Sequence, residues 1–146
     1  MKVVASNKRA RFDYEILEEI EAGIILTGQE VKSARGGHVH LSGAYVSMLT
    51  GKPVLKNLTI EPYRYASDLG RYDKQRDREL LLHARQINRL VGKSQEKGMS
   101  ILPLEVRAGR TIKVLLGLGR GRKKYDKRER IKEREVKKRL RKGEEF

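Results

Sequence analysis

The sequence predicts a mainly β protein with helices, in which antiparallel strands form a folded body and a basic tail follows it. Short β-forming runs are joined by turns that contain glycine, and two segments have helical periodicity. Apolar residues become scarce from Arg120 onward. These observations predict about six strands with two to three helices. Antiparallel strands of this number lose their exposed edges by closing into a small OB-like barrel, and an open sheet with helices on one face is the alternative.

The N-terminal region combines a basic cluster with an alternating segment. Residues 1–6 are expected to lack regular structure, and the cluster N-K-R-A-R follows at residues 7–11. An isolated cluster of this kind is usually a solvated arm, but the charge of the whole chain favours contact with phosphate. In residues 13–20 the side-chain types alternate along the chain, which predicts a strand. A helix is the alternative, because the run is rich in glutamate. Ala22 and Gly23 then form the predicted turn into the next strand.

Residues 24–37 predict a strand that runs into a short helix. Residues 24–26, Ile-Ile-Leu, form an apolar run between two glycines, which is typical of a buried strand. Residues 29–35 suit one or two helical turns, and the following Gly-Gly pair ends them. Lys32 and Arg35 lie three apart and share a helical face. The segment therefore predicts a rigid bracket that carries two cations.

The middle of the chain predicts a hairpin, a loop and a helix. Residues 44–49 and 53–60 are β-forming and flank the turn T-G-K. Residues 63–75 are polar and contain glycine, which predicts a mobile loop. Residues 76–91 have apolar side chains at three- and four-residue intervals, which predicts an amphipathic helix.

Two further strands are predicted before the tail. Residues 100–106 and 111–116 are β-forming and flank an Ala-Gly turn. Gly117, Gly119 and Gly121 are interpreted as a flexible exit from the last strand. We therefore expect a folded body over residues 1–119 and a basic tail over residues 120–146.

The tail is too polar to fold by itself. Residues 117–146 contain 14 Lys or Arg and 6 Asp or Glu, a net charge of +8. Glu133 with Lys137 and Glu135 with Arg139 place an acid four residues before a base, which supports a helix by a few tenths of a kcal/mol per pair. We expect the tail to be disordered in the free protein and helical against RNA.

The charge of the chain indicates its class of partner. A formal net charge of +15 in 146 residues is too large for an ordinary soluble enzyme and points to a polyanion. A membrane surface is disfavoured, because no apolar run approaches the length of a bilayer span and no lipidation signal is present. The chain has no cysteine and no targeting segment, so a cytoplasmic location is expected.

The sequence lacks the residue patterns of common catalytic, cofactor and metal sites. Arg122 stands where a G-x-G-x-x-G fingerprint needs its third glycine, and no G-K-[ST] closes a P-loop. The three histidines supply no clustered ligand set. Glu18, Glu19 and Glu21 are better interpreted as strand and turn carboxylates than as a magnesium site. We expect no enzyme, no cofactor and no metal, and the residues alone favour a ribosomal or general RNA-binding OB-fold protein.

A series of motifs resembles the SmpB family of SsrA (tmRNA)-binding proteins. The motifs occur in family order and cover nearly the whole chain. They are N-K-R-A-R (7–11), D-Y (13–14), E-A-G (21–23), G-x-E-V-K-S (28–33), Arg35, G-A-Y-V (43–46), I-x-P-Y (60–63), R-x-R-x-L-L-L-H (76–83), K-G (97–98), L-P-L (102–104), K-V-x-x-G-L (113–118) and G-R-K-x-x-D-K-R (121–128).

The resemblance implies an adaptor of trans-translation with an OB-like closed barrel. Such a protein binds the tRNA-like domain of tmRNA and delivers it to stalled ribosomes. Its basic tail lies in the vacant decoding site and mRNA channel of the small subunit, so that the nascent peptide is tagged for degradation. Elongation factor Tu is an indirect partner through aminoacylated tmRNA.

The resemblance also implies site residues. Glu21, Leu81 and Lys113 match body positions implicated in tmRNA binding, and Tyr125 is a candidate stacking ring in the tail. Lys8, Arg11, Lys32 and Arg35 are added as candidates for electrostatic contact with RNA because of their charge. The full set of expected RNA-binding residues is Asn7, Lys8, Arg11, Glu21, Lys32, Arg35, Arg78, Leu81, Lys113 and Gly121. The expected residues of the ribosome decoding tail are Lys123, Tyr125, Asp126, Lys127, Arg128, Ile131 and Lys132.

Overall fold

The computed structural model describes residues 1–64 and 72–122, which form nine strands and three helices. The elements are β1 (Lys2–Ser6), α1 (Lys8–Asp13), β2 (Tyr14–Ile24), α2 (Gly28–Arg35), β3 (Val39–His40), β4 (Tyr45–Ser47), β5 (Val54–Lys56), β6 (Thr59–Ile60), β7 (Arg78–Leu81), α3 (Ala84–Ser94), β8 (Met99–Ala108) and β9 (Ile112–Gly121). Seven strands form one antiparallel sheet in the order β1-β8-β9-β2-β7-β5-β4, and β3 pairs with β6. The predicted class, mainly β with helices, is confirmed, and the described part has more strands than the six expected.

The centre of the sheet is built from β8, β9 and β2. The predicted turn at Ala22 and Gly23 is wrong, because Ala22 pairs with Val114 and Gly23 pairs with Lys113 within one continuous strand. The predicted separate strand over residues 24–26 is therefore also wrong. These small residues favour a turn locally, but ladder pairing along β9 keeps the backbone extended.

Gly117, Gly119 and Gly121 lie inside β9 and are not a flexible exit. Gly117 pairs with Leu102 on β8 and with Glu19 on β2. A Cβ atom added at Gly117 would lie 2.7 Å from Leu104 Cδ1. This glycine is required for close packing against a neighbouring strand, a role that sequence does not distinguish from flexibility.

The N-terminal segment is ordered, contrary to the prediction of an unstructured lead. Lys2, Val3, Ala5 and Ser6 pair with β8, with a bulge at the intervening valine. The β-branched valines of this segment suit a pleated strand, and β8 supplies the ladder partner. The basic cluster that follows forms most of α1.

The predicted hairpin is confirmed as β4 and β5, with Val46 opposite Leu55. Its second strand ends earlier than predicted, because Asn57 has a positive φ of 62°. Beyond this residue the chain turns, and Thr59 and Ile60 pair with β3 instead.

The predicted helix over residues 76–91 is wrong in its first half. Residues 78–81 form β7, in which Arg78 and Leu80 are buried and Glu79 and Leu81 are exposed. Over only four residues, the spacing of the apolar side chains fits an alternating strand as well as a helix. Pairing with β2 and β5 then makes the segment a strand. The helix begins at Ala84 and continues through Gly92 to Ser94.

The main core lies between the seven-stranded sheet and the helices α2 and α3. It contains Leu55, Leu58, Ile60, Leu90, Val114 and Leu116, all nearly inaccessible to solvent. The terminal strand β4 contacts β8, although the two are far apart in the order of the sheet. A smaller apolar cluster, formed by Ala10, Leu102, Leu104 and Leu115, lies beneath α1.

The predicted loop over residues 63–75 falls partly outside the described residues. At its end, the Tyr72 hydroxyl donates a 2.6 Å hydrogen bond to the carbonyl oxygen of Ile60. None of the helices in the described ranges has the length and apolarity that crossing a bilayer requires.

Candidate nucleic-acid interface

A row of paired residues crosses four strands on one face of the sheet. Arg107 on β8 pairs with Lys113 on β9, Lys113 pairs with Gly23 on β2, and Gly23 pairs with Leu81 on β7. Glu21 lies two residues before Gly23 and therefore points to the same face. The register of the sheet thus brings a carboxylate, two cations and an apolar side chain together from distant parts of the sequence.

Glu21, Leu81 and Lys113 line one open cleft of about 380 Å³. The other lining residues are Gly23, Leu82, His83 and Gln86. Leu81 is 58% exposed, although it is a large apolar residue. The floor is close-packed at Gly23, where an added Cβ would lie 3.2 Å from Leu81 Cβ. The three residues that the resemblance assigned to the body are therefore neighbours in space.

The cleft offers complementary chemistry to an RNA surface. The Lys113 ammonium can contact phosphate, and the exposed Leu81 side chain can pack against a ribose or a base. The Glu21 carboxylate is an acceptor for 2′-hydroxyl or base amino groups. Such a set is suited to the shape and the sugar edge of folded RNA rather than to a run of phosphates.

Arg107 is a neighbour of the cleft that the sequence analysis missed. Its Nη1 lies 3.5 Å from Glu21 Oε2, and its Nε donates a 3.0 Å hydrogen bond to Glu105 Oε2. This contact holds the Glu21 side chain toward β8 and leaves about half of it exposed. Arg107 follows the predicted strand 100–106, so the sequence placed it next to a turn. In the structure β8 extends to Ala108, which puts Arg107 inside the strand and opposite Lys113.

His83 and Gln86 were also missed, because both fell inside the predicted helix. In the structure they lie at the start of α3, where the His83 N–H donates to Gln86 Oε1 at 3.1 Å. The capping-type spacing of these two residues, three apart before an apolar run, is a signal that locates this helix start.

The helix α2 is the helical half of the predicted bracket, but residues 25–27 before it form no strand. Thr27 caps it, with Thr27 Oγ1 accepting from the Glu30 N–H and Glu30 Oε1 accepting from the Thr27 N–H. Lys32 Nζ lies 5.5 Å from the centroid of the Tyr63 ring. Arg35 donates to the carbonyl oxygens of Gly109 and Arg110, at 2.7 Å and 2.9 Å, so it ties α2 to the β8–β9 turn. Neither cation lines the cleft.

Four other predicted RNA contacts lie around α1 and the end of β9. Asn7 is buried: its Oδ1 accepts from the Ala10 N–H and its Nδ2 donates to the Pro103 carbonyl, so its side chain serves the fold. Lys8 is exposed in the first turn of α1, and Gly121 is exposed at the end of β9. Arg11 pairs with Glu19 at 3.1 Å.

The prediction that Arg78 contacts RNA is wrong, because its side chain is fully buried. Its Nε donates a 2.6 Å hydrogen bond to Glu30 Oε2. Its Nη atoms donate to the carbonyl oxygens of Leu58, Lys74 and Arg76. Buried charges in proteins are paired and hydrogen-bonded in this way, so the residue is a structural centre beneath α2.

Glu30 is the carboxylate partner of this centre and also pairs with Arg76. Burial by itself raises the pKa of Glu30. Hydrogen bonds from Arg76 and from the Thr27 N–H, together with the charge of Arg78, outweigh burial and hold this pKa below its ordinary value. Burial, followed by the charge of Glu30, raises the pKa of the nearby Tyr72 hydroxyl.

The predicted tail residues lie outside the described part of the chain. They are Lys123, Tyr125, Asp126, Lys127, Arg128, Ile131 and Lys132. Within residues 1–64 and 72–122, no group of three or more histidine and acidic side chains is arranged to hold a metal ion.

The chain is similar to known proteins over nearly its whole length. The family model described as SmpB protein matches residues 4–145. The SsrA-binding protein of Coprothermobacter proteolyticus is 46% identical over 143 residues, covering 97% of this chain and 95% of the relative. The SsrA-binding protein of Persephonella marina is 47% identical over 142 residues, covering 96% and 92%.

A solved structure has the same fold. A chain from the work described as "tmRNA-SmpB: a journey to the center of the bacterial ribosome" superposes with a TM-score of 0.70 and 43% sequence identity. The match covers 90% of this chain and 95% of the solved one. With the family model and the relatives in agreement, the chain belongs to the SmpB family.

Proposed function

We propose that this protein is an RNA-binding adaptor of trans-translation. It binds the tRNA-like domain of tmRNA, delivers it to stalled ribosomes and allows the nascent peptide to be tagged and the ribosome to be released. The observation that carries the proposal is the convergence of Glu21, Leu81 and Lys113 in one cleft. The proteins it resembles are SsrA-binding proteins, and the solved relative belongs to a tmRNA complex of the bacterial ribosome.

The cleft suits a body that recognises RNA by shape. Lys113 and Arg107 bring positive charge, but Glu21 and Glu105 balance part of it locally. A surface of this kind gains little from non-specific phosphate attraction, which needs many uncompensated cations. Binding therefore depends on contacts to riboses and bases that only a particular RNA fold presents.

The basic tail is proposed to act in the ribosome rather than in tmRNA binding. Residues 123–146 contain 12 Lys or Arg and 6 Asp or Glu. Their charge suits the RNA walls of a vacant decoding site and mRNA channel, and their roles at these positions rest on the resemblance. The same proposal divides the chain into a body and a tail and places the protein in the cytoplasm. It also includes an indirect link to elongation factor Tu through aminoacylated tmRNA.

The sheet is proposed to close as an OB-like barrel. The contact between β4 and β8 supports this, because β4 ends the sheet two strands beyond β7 and yet lies against β8. Closure removes an exposed edge that would otherwise be open to pairing with another chain.

The first test compares two charge reversals, Lys113→Glu in the cleft and Lys52→Glu in the β4–β5 turn. Both change the net charge equally, so diffuse attraction predicts equal losses of affinity. Direct contact at the cleft predicts that Lys113→Glu weakens binding of the tRNA-like domain by at least about tenfold more, equivalent to ~1.4 kcal/mol. Fluorescence anisotropy at fixed salt measures both, and equal losses would remove the cleft from the proposal.

The second test separates the body from the tail. The full-length variant with Asp126, Lys127 and Arg128 replaced by alanine should keep nearly normal affinity for tmRNA and lose peptide tagging on stalled ribosomes. The matched control replaces Glu135, Lys138 and Arg139 with alanine, which changes the net charge by the same amount. A triple variant at residues 126–128 that tags at the normal rate would refute the proposed role of the tail.

A general RNA-binding or ribosomal OB-fold protein is the second candidate, because the net charge of +15 suits any RNA. The two candidates differ in selectivity. An adaptor prefers the tRNA-like domain over a duplex of equal length at moderate salt, whereas a general binder holds both equally. Competition between these two RNAs decides which candidate is correct.

A further inference from the structure

Glu21 has two candidate cationic partners on the face of the sheet that carries the cleft. Glu21 pairs in register with Leu115 on β9, and Lys113 lies two residues before Leu115. Lys113 is therefore a diagonal neighbour on the adjacent strand, within reach of a long side chain. Arg107 starts farther away, because β8 lies on the other side of β9 from β2.

The structure nevertheless pairs Glu21 with the more distant cation. Arg107 Nη1 lies 3.5 Å from Glu21 Oε2. In the part of the chain that the structure describes, Lys113 makes no salt bridge with Glu21 or with another carboxylate. Its Nζ would lie 3.7 Å from a Cβ atom added at Gly23, so the ammonium uses the space that this glycine leaves open.

Glu105 explains why Arg107 reaches across β9 to Glu21. Nε and Nη2 of Arg107 both lie 3.0 Å from Glu105 Oε2, which holds one edge of the guanidinium on β8. Nη1 is on the other side of the group and points to Glu21. A planar guanidinium with N–H groups in fixed directions can bridge two carboxylates, whereas an ammonium is a point charge. We call the bridge formed by Glu105, Arg107 and Glu21 the clasp.

We propose that Arg107 is a positioning residue that keeps the cleft ready for RNA. Held by Glu105, it draws Glu21 toward β8. Glu21 then remains an acceptor for hydrogen-bond donors of RNA, and Lys113 remains free for phosphate. Without Arg107, Glu21 turns to its diagonal neighbour Lys113, and the two charges neutralise each other. The effect on RNA rests on the proposed function of the cleft, whereas the arrangement of the side chains does not.

The arrangement is tested without RNA, in the full-length protein. A carbodiimide joins a carboxylate directly to an amine that it contacts, and mass spectrometry measures the resulting amide between Glu21 and Lys113. We expect Arg107→Ala to raise the yield of this amide at least about threefold, because Glu21 loses its competing partner. Equal yields in Arg107→Ala and in the wild-type protein would overturn the proposal.

Arg89→Ala is the matched control for this measurement. It also removes an arginine from a glutamate of β2, because Arg89 Nη1 lies 2.6 Å from Glu18 Oε1, and neither residue lines the cleft. The yield of the amide between Glu21 and Lys113 should therefore stay at the wild-type level. An equal rise in Arg89→Ala and Arg107→Ala would overturn the proposal, because the clasp would then have no specific effect.

The consequence for RNA is tested by a double-mutant cycle. Arg107→Ala should weaken binding of the tRNA-like domain at least about fivefold in fluorescence anisotropy at fixed salt, and Arg89→Ala by less than about twofold. In protein that already carries Glu21→Ala, Arg107→Ala should cost no more than about twofold, since no carboxylate is left to position. A full fivefold loss in that background would overturn the proposal and make Arg107 a direct RNA contact.

The folding of the variants and the function of the cleft are measured separately. The members of the clasp are partly exposed, and ion pairs of this kind add little to stability, so Arg107→Ala should keep the urea midpoint of the wild-type protein. Unchanged RNA affinity in both Glu21→Ala and Lys113→Glu would remove the cleft from the proposed function, and the role of Arg107 with it. A loss of affinity in these two variants but not in Arg107→Ala would overturn the role of Arg107 alone.

Discussion

Replacing Arg78 with methionine is expected to destabilise the protein strongly, although sequence alone suggested a surface role. Arg78→Met removes the hydrogen bonds to Glu30 and to the carbonyl oxygens of Leu58, Lys74 and Arg76. These groups are buried or partly buried and cannot all regain water as partners. The Glu30 carboxylate keeps Arg76 as its remaining cationic partner.

Breaking a buried ion pair from one side costs about 3–5 kcal/mol, a large part of the ~5–15 kcal/mol that stabilises a typical domain. The exposed Arg85 on α3 is the matched control, and Arg85→Met should change stability by no more than about 0.5 kcal/mol. Glu30→Met combined with Arg78→Met removes both charges and should show a coupling free energy of ~1–3 kcal/mol.

Urea denaturation followed by circular dichroism gives these free energies of unfolding. RNA binding measured where the variant remains folded should fall only slightly, since Arg78 has no surface exposure. A loss of stability below about 1 kcal/mol for Arg78→Met would contradict the buried network. Near-normal stability combined with a large loss of RNA affinity would restore the prediction of an RNA contact.

Three further predictions concern stability. Gly117→Ala should cost about 1–3 kcal/mol in urea denaturation because its methyl group would overlap Leu104, whereas Gly92→Ala, in open space within α3, should stabilise by ~0.5–1 kcal/mol. The lowered pKa of Glu30 means that its contribution to the free energy of unfolding is complete above the unfolded-state pKa near 4.3 and is lost as the pH falls toward the folded-state pKa. The urea midpoint of the wild-type protein should therefore fall more steeply on acidification than that of Glu30→Gln. Asn7→Ala removes the N-cap of α1 and should lower thermal stability by about 0.5–2 kcal/mol, and an unchanged melting temperature would contradict that role.

The candidate site was predicted in its members but not in its geometry. The motif series identified Glu21, Leu81 and Lys113, which are far apart in sequence. That they share one cleft depends on Gly23 pairing with both β7 and β9. The same pairing shows why a turn was wrongly predicted there: an Ala-Gly pair favours a turn in isolation, and the neighbouring strands prevent it.

Several properties follow from the sequence by itself. The composition determines the net charge of +15 and thus the polyanionic class of partner. Local patterns determine α2, with its Thr27 cap and glycine end, and the hairpin around Gly51. These features depend on residues close together in the chain, so a short window contains the interactions that decide them.

The tertiary structure decided what depends on partners distant in sequence. Residues 78–81 are a strand because β2 and β5 pair with them, and residues 2–6 are ordered because β8 pairs with them. Arg78 is buried because Glu30, 48 residues earlier, meets it beneath α2. A basic side chain has the same local pattern on a surface and in a buried pair. Only long-range packing determines which of its atoms remain in water.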